Sequence, residues 1–345
     1  MKKLLLMLAF SAITMAMWAQ SDVMIATLQH GNTTSVFKGA SAFVQAHNAA
    51  VDGDIITLSD GTFTATNISK SVTIYGAGFE QNAEKGTAIT TINGNVYIGV
   101  ADAILSGVKL EGLYITGTVF AANISNSTTA QLKNFTMKKC RVGGDLRFNS
   151  NIENVNILQC RIHGYVSGTK TVIANGLLIA NCYIESRVHL FNTQSDVLLD
   201  HCIVGYAYNN GSSGADEMNN SAFTWTNCMM LWGGNYSNGR TTGRNCIVKN
   251  CMSSSFSTDI GNTYENCYSV NPGYIFADLN NASYTESRTF ELASPDTYVG
   301  TDGTPVGPSG GLGWNKVPAT PVVKSLDLEV NGNTLNVTYE AAARE

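Results

Sequence analysis

From Asn134 to Val270 the hydrophobic and polar positions repeat a single phrase. An apolar residue, a spacer and a second apolar residue are followed by two polar positions, a cysteine, a spacer and usually another apolar residue. It runs Phe135, Met137, Cys140, Val142, and then Val155, Ile157, Cys160, Ile162. It returns as Leu177, Ile179, Cys182, Ile184 and as Val197, Leu199, Cys202, Val204, with looser copies ending on Cys228, Cys251 and Cys267. Within each copy the apolar residues alternate, which places them on one face of a strand. No run of helical spacing separates the copies. A period of about twenty residues built from such strands predicts a solenoid in which each repeat is one coil of three short strands and three turns. Stacked at about 4.8 Å, the coils satisfy one another's backbone and share one continuous apolar core.

The phrase extends beyond the cysteines. Val108, Leu110, Leu113 and Ile115 repeat it with leucine in the cysteine slot, so the slot is a packing position. Eight cysteines in a chain of this kind first suggest disulfides. Seven of them share one register, however, and parallel Cβ vectors on adjacent coils fit the disulfide dihedral poorly. The expectation is a mostly reduced ladder of small apolar side chains. Immediately before the ladder stand Lys139, Gln159, Asn181, His201, Asn227, Asn250 and Asn266. Asparagine tolerates left-handed backbone, so this column reads as a tight turn whose side chains bond along the stack. After each cysteine comes a glycine-containing turn and a further strand, with Leu146 and Phe148, Val166, or Val188 and Leu190 directed inward.

At the start, Lys2 and Lys3 precede an apolar run from Leu4 to Met17, and Ala19–Gln20 offers a cleavage point. Residues 1–19 read as an export signal, because the run is shorter than the about 20 residues a spanning helix needs. Residues 20–317 form the solenoid with its N-terminal cap, and residues 318–345 a C-terminal extension. Ser41 to Ala50 reads as a short amphipathic helix that covers the open end of the core. Near the other end, Leu326, Leu328 and Val330 alternate, as do Leu335, Val337 and Tyr339, around Asn331-Gly332-Asn333. That is a hairpin signal, and a lone hairpin is marginal in water, so docking on the solenoid or completing another chain's sheet is expected.

Composition narrows the class. Charged residues are 14% of the chain and glycine is abundant, as in a secreted β-protein with many turns. The chain is acidic, at a formal −5, and its basic residues are not clustered, which argues against nucleic-acid partners. Nothing after the leader is apolar enough to span a membrane. Secretion, the periplasm and the cell surface all fit, and the sequence fixes no oligomeric state.

The helix, the stretch Gly53-Asp54-Ile55-Ile56-Thr57-Leu58 with Asp60-Gly61 and Thr62-Phe63-Thr64, and Ser71 to Gly78 together resemble the N-terminal part of bacterial right-handed parallel β-helix proteins of the pectin-lyase-like group. Asn271-Pro272, Phe290-Glu291-Leu292, Ser294-Pro295, Gly300 to Gly303, Val306-Gly307 and Gly310-Gly311 resemble the closing segment of many secreted members. The resemblance covers about Val36 to Trp314. It implies an all-β right-handed parallel β-helix with an N-terminal capping helix, to which the hairpin signal read above adds a short C-terminal β-hairpin. It also implies that a sugar chain lies along one parallel face and its flanking loops.

On that basis the outward face of the third strand of each coil is the candidate site. One column carries Asp145, Tyr165 and Arg187, and the next carries Arg147, Ser167 and His189, with Tyr206 and Tyr208 continuing the surface. Aromatic rings would stack on sugar rings, while arginine and histidine hold uronate carboxylates or move a proton. Arg187 and His189 are the candidate catalytic pair; Asp145, Arg147, Tyr165, Tyr206 and Tyr208 are the candidate substrate contacts. A solvated face with cross-strand charge pairs is the alternative for the same residues.

Complete enzyme signatures are absent. The paired aspartates and Gly-His-Gly of polygalacturonases are missing, as is the Gln-Asp-Thr-Leu of pectin methylesterases. Val197 to Cys202 resembles the pectate lyase phrase containing Asp-His, but it lacks the tryptophan, and the arginine- and proline-bearing second motif is missing. Two carboxylates at about 5–9.5 Å would serve a glycosidase, and only Asp145 and Glu185 lie near the candidate face. No cofactor is evident. Asp216-Glu217, in one of two long loops (Asn210–Asn220 and Gly233–Gly243), offers oxygen ligands to calcium, beside the plainer reading of a solvated loop. His30 and His163 read as isolated surface or turn residues. The expectation is an exported β-helix that binds a polysaccharide or cell-surface glycan. The alternatives are a lyase or hydrolase acting on a uronate-rich polymer, and a purely structural, adhesin-like surface protein.

Overall fold

The computed structural model describes residues 24–82, 87–123, 130–169, 171–189, 191–192, 194–205, 223–231, 246–254, 256, 261–278, 281, 283–286, 288–319, 322–331 and 334–342. The alternating phrases form a β-solenoid of three parallel sheets. The first sheet stacks Thr73–Tyr75, Lys109–Glu111, Thr136–Lys138, Ile152–Leu158, Ala174–Ala180, Val197–Asp200, Thr224–Thr226, Ile247–Lys249 and Thr263–Glu265. The second follows each cysteine and runs from Tyr114–Ile115 through Arg141–Val142, Arg161–Ile162, Tyr183–Ile184, Ile203–Val204, Met229–Met230 and Met252–Ser253 to Tyr268–Ser269. The third stacks Val96–Ile98, Val119–Ala121, Leu146–Phe148, Val166–Ser167 and Val188–His189.

Register follows the phrase. Met137 pairs with Ile157, Ile157 with Ile179, and Ile179 with Leu199. Those four side chains are buried, as are Leu146, Phe148 and Val166 on the third sheet. Each large aliphatic side chain so placed stabilises the fold by about 1.5–3 kcal/mol relative to exposure. All eight cysteines are free thiols, and all but Cys267 are buried. Adjacent coils are tied at the ladder itself: the Arg161 amide donates to the Cys140 carbonyl, and the Tyr183 amide to that of Cys160, each at 2.9 Å. Cys246 lies outside the ladder. Its thiol accepts from the Phe223 amide at 3.4 Å, on the first sheet. Burial pushes that thiol up to about 11.

The polar column before the ladder has the backbone predicted for it. Lys139, Gln159, Asn181, His201, Asn227, Asn250 and Asn266 all have φ between 49° and 58°. Their side chains behave differently from expectation. Instead of bonding chiefly to one another, all but Asn266 reach a C-terminal strap, residues 298–319, that climbs back along the solenoid. The Asn250 amide donates to the Val299 carbonyl at 3.0 Å, and Asn227 accepts from the Thr301 amide at 2.7 Å. Asn181 donates to the carbonyls of Pro308 (2.9 Å) and Gly310 (2.6 Å), and Gln159 to that of Gly313 at 2.9 Å. Lys139 donates to the Val317 carbonyl, and the Ala319 amide donates to Glu111 at 2.9 Å. The left-handed turn presents its side chain outward, where the turns and bends of the strap leave carbonyls and amides for it to meet.

Ahead of the solenoid an antiparallel hairpin, Ile25–His30 with Thr33–Lys38, pairs onto Ile55–Leu58 at the start of the first sheet. The apolar pattern had not announced it. Helix α1, Ala42–Ala49, buries Ala42, Phe43 and Ala46. Lys70 donates to the carbonyls of His47, Asn48 and Ala50 at its C-terminus, the end at which a cation is favoured. His30 is not isolated: its Nδ1 lies 2.7 Å from Asp54 Oδ1. Beyond the strap, Val322–Asn331 and Thr334–Ala342 pair antiparallel with one register shift between Val323 and Ser325.

Candidate functional site

The third sheet brings the two predicted columns together. Arg147, Ser167 and His189 are successive partners in register. Asp145, Tyr165 and Arg187 form the neighbouring column, joined where the Leu146 amide donates to the Tyr165 carbonyl (2.8 Å) and the Val166 amide to that of Arg187 (2.9 Å). Asp145 Oδ1 accepts from the Tyr165 amide at 2.8 Å, and Asp145 Oδ2 accepts from Arg147 at 2.6 and 2.9 Å. The Arg187 guanidinium lies 5.0 Å from the centre of the Tyr165 ring, a cation–π contact. Tyr165 and Arg147 are exposed, Asp145 and Arg187 half-buried, and Ser167 buried. Tyr206 and Tyr208, both long loops and Asp216-Glu217 lie outside the described residues.

Two contributors escaped the sequence reading. Phe120 pairs with Arg147 in register, and Tyr97 with Phe120. Their rings stack with centroids 4.7 Å apart and planes 8° from parallel. The outer column therefore runs Tyr97, Phe120, Arg147, Ser167, His189. A signal was present, because Val119 follows Leu113 at the same offset by which Leu146 follows Cys140. The leucine coil predicts its own third strand, with Phe120 facing outward.

Glu185 lies elsewhere. It holds Arg161 at 2.6 Å through Oε1 and His163 at 2.5 Å through Oε2, beside the second sheet, so His163 is not isolated either. Arg161 in turn lies over the Tyr284 ring at 3.8 Å. Asp145 and Glu185 are thus each bound to cations, and neither is poised as an unencumbered acid or base over a shared bond. Asp200-His201 belongs to the fold. His201 is fully buried, its Nδ1 lies 3.0 Å from Asp200 Oδ2, and its Nε2 meets Thr304 Oγ1 at 3.0 Å. Burial alone would raise the Asp200 carboxyl, but His201, Thr226 and Asn227 hold it below its ordinary range. The resemblance of this phrase to a lyase motif is therefore a turn residue reaching the strap.

The outer face of the second sheet is covered. Tyr183, Ile203, Met229 and Met252 pack against Ile275, Phe276, Phe290, Leu292 and Val306 of the C-terminal segment. Burial pushes the Tyr183 phenol up to about 12. The adjacent apolar pairs Ile203-Val204 and Met229-Met230, in place of alternation, carry the sequence signal for a strand buried on both faces. Among the described residues no group of three His, Cys, Asp or Glu side chains could hold a metal ion, and no helix is long and apolar enough to cross a membrane. No family model, curated protein or solved structure matches the chain.

Proposed function

We propose that the protein is an exported right-handed β-helix of the pectin-lyase-like kind, which binds a polysaccharide or cell-surface glycan along the outer face of its third sheet without turning it over. The observation that carries this reading is the strip itself. A flat aromatic pair, Tyr97 on Phe120, leads along one column to Arg147, beside Arg187 over Tyr165. Rings that stack on sugars and guanidinium groups that bind carboxylates recur at the strand spacing along the axis, which suits a repeating polymer. The engagement of Asp145 and Glu185 by cations favours binding over hydrolysis. In this reading residues 1–19 direct export, α1 closes the end of the core, and the terminal hairpin docks on the solenoid.

Incubation with uronate-rich and neutral glycans, with and without calcium, tests it. The expected result is retarded migration in a glycan-containing gel, with neither unsaturated uronides nor new reducing ends released. Unsaturated uronides would mark a lyase and new reducing ends a hydrolase. Should Arg187→Ala and His189→Ala leave the retardation unchanged, the third-sheet face is not the site.

A further inference from the structure

The C-terminal segment that covers the second sheet leaves a cavity of about 320 Å³, whose walls include Glu80, Glu286, Arg288, Trp314, Asn315 and Lys316. It lies on a different face of the solenoid from the third-sheet strip. Glu80, only 5% exposed, enters from the loop after Thr73–Tyr75. One of its oxygens, Oε2, pairs with Lys316 at 2.5 Å. The other, Oε1, is buried with no hydrogen-bond partner, and so is the indole Nε1 of Trp314. Buried polar groups are ordinarily satisfied, and each exception calls for an explanation.

The cations of the cavity are committed. Arg288 donates to the Ser283 carbonyl at 2.6 Å, reaches Asp278 at 3.4 Å, and lies over the rings of Phe276 and Phe290. Lys316 holds Glu80 and also donates to the Glu286 carbonyl. Glu80 Oε1 and Trp314 Nε1 thus give the cavity a buried acceptor and a buried donor beside an aromatic surface. An anion would meet Glu80 and Glu286. A metal ion would meet Lys316 and Arg288. A polyol meets neither penalty, because a hydroxyl can both donate to a carboxylate oxygen such as Glu80 Oε1 and accept from an N–H such as that of Trp314.

We propose that this cavity is a second carbohydrate site, which holds a single pyranose or the end of a glycan chain. It stands apart from the third-sheet reading and does not depend on it. The test is saturation-transfer NMR of the protein with glucose, galactose, mannose and N-acetylglucosamine at millimolar concentration. Transfer from at least one of these sugars is expected. Trp314→Phe, which keeps a six-membered aromatic ring but removes the pyrrole half of the indole with its N–H, should weaken it about tenfold or more, a loss that includes one hydrogen bond. Because Trp314 packs edge-on against Tyr284 and Phe290, the same variant should lower the melting temperature, so binding is compared well below both midpoints. Glu80→Gln should weaken binding as well. The proposal is overturned if no sugar gives transfer, if Trp314→Phe and Glu80→Gln leave the signal as it was, or if a sugar-soaked crystal shows only water in the cavity.

Discussion

Asn181 shows how much one residue of the turn column does. Its φ of 51° is costly for most side chains, and its amide both donates to two strap carbonyls and accepts from the Leu312 amide. Asn181→Ala should destabilise by about 2–4 kcal/mol, from left-handed strain plus lost hydrogen bonds. Asn181→Gly relieves the strain alone, so it should cost about 1 kcal/mol less; urea denaturation of the pair separates the two contributions. His47 supplies a pH dependence. Burial, and then the charge of Lys70, lower it from 6.5 to about 4, and its Nε2 accepts from the Ser69 amide at 3.3 Å. The folded state therefore holds it neutral while the unfolded chain takes up a proton. Its contribution is complete above pH 6.5 and is lost as pH falls from 6.5 toward 4. Denaturation midpoints measured across that window should decline, and His47→Gln should flatten the decline.

At the level of elements, the strap and the core rungs fail differently. Gly310 and Gly311 let the strap backbone lie on the His201 ring. A Cβ on Gly310 would sit 1.9 Å from the Pro305 carbonyl oxygen and 2.7 Å from His201 Cδ2, and Gly311 has φ +53°. Gly310→Ala should cost at least about 2 kcal/mol through backbone displacement and expose the strap to limited proteolysis while the coils stay protected. Ile157→Ala, in the middle of the first sheet, should instead cost about 2–5 kcal/mol and lower the unfolding midpoint of the solenoid without freeing the strap first.

Across the whole molecule, stacking of like coils produces one continuous core, and its cysteines, all but Cys267, are shielded from reagents by burial. Burial raises the thiols of Cys140, Cys182 and Cys228 well above their ordinary range, and reactivity belongs to the thiolate. Native protein treated with iodoacetamide near neutral pH should be modified first at Cys267, the one partly exposed member. Full labelling should require denaturant. Rapid labelling of several thiols in the native state would contradict the packed ladder.

The coils, the inward column of cysteines and the left-handed turns were legible in the sequence, because a strand's side chains alternate locally and a turn's φ selects glycine or asparagine. The same logic placed Asp145, Tyr165 and Arg187 in one column and Arg147, Ser167 and His189 in the next, since stacking preserves register. Partners far along the chain were not legible. That His201 meets Thr304, that Glu185 turns to Arg161 and His163, and that Glu80 closes on Lys316 depend on how a strap without repeats lies against repeating turns. Repetition determined the solenoid from sequence alone. Only the tertiary structure decided which faces the C-terminal segment covers and which polar atoms it leaves unpaired, because that segment has no period and its contacts span the length of the chain.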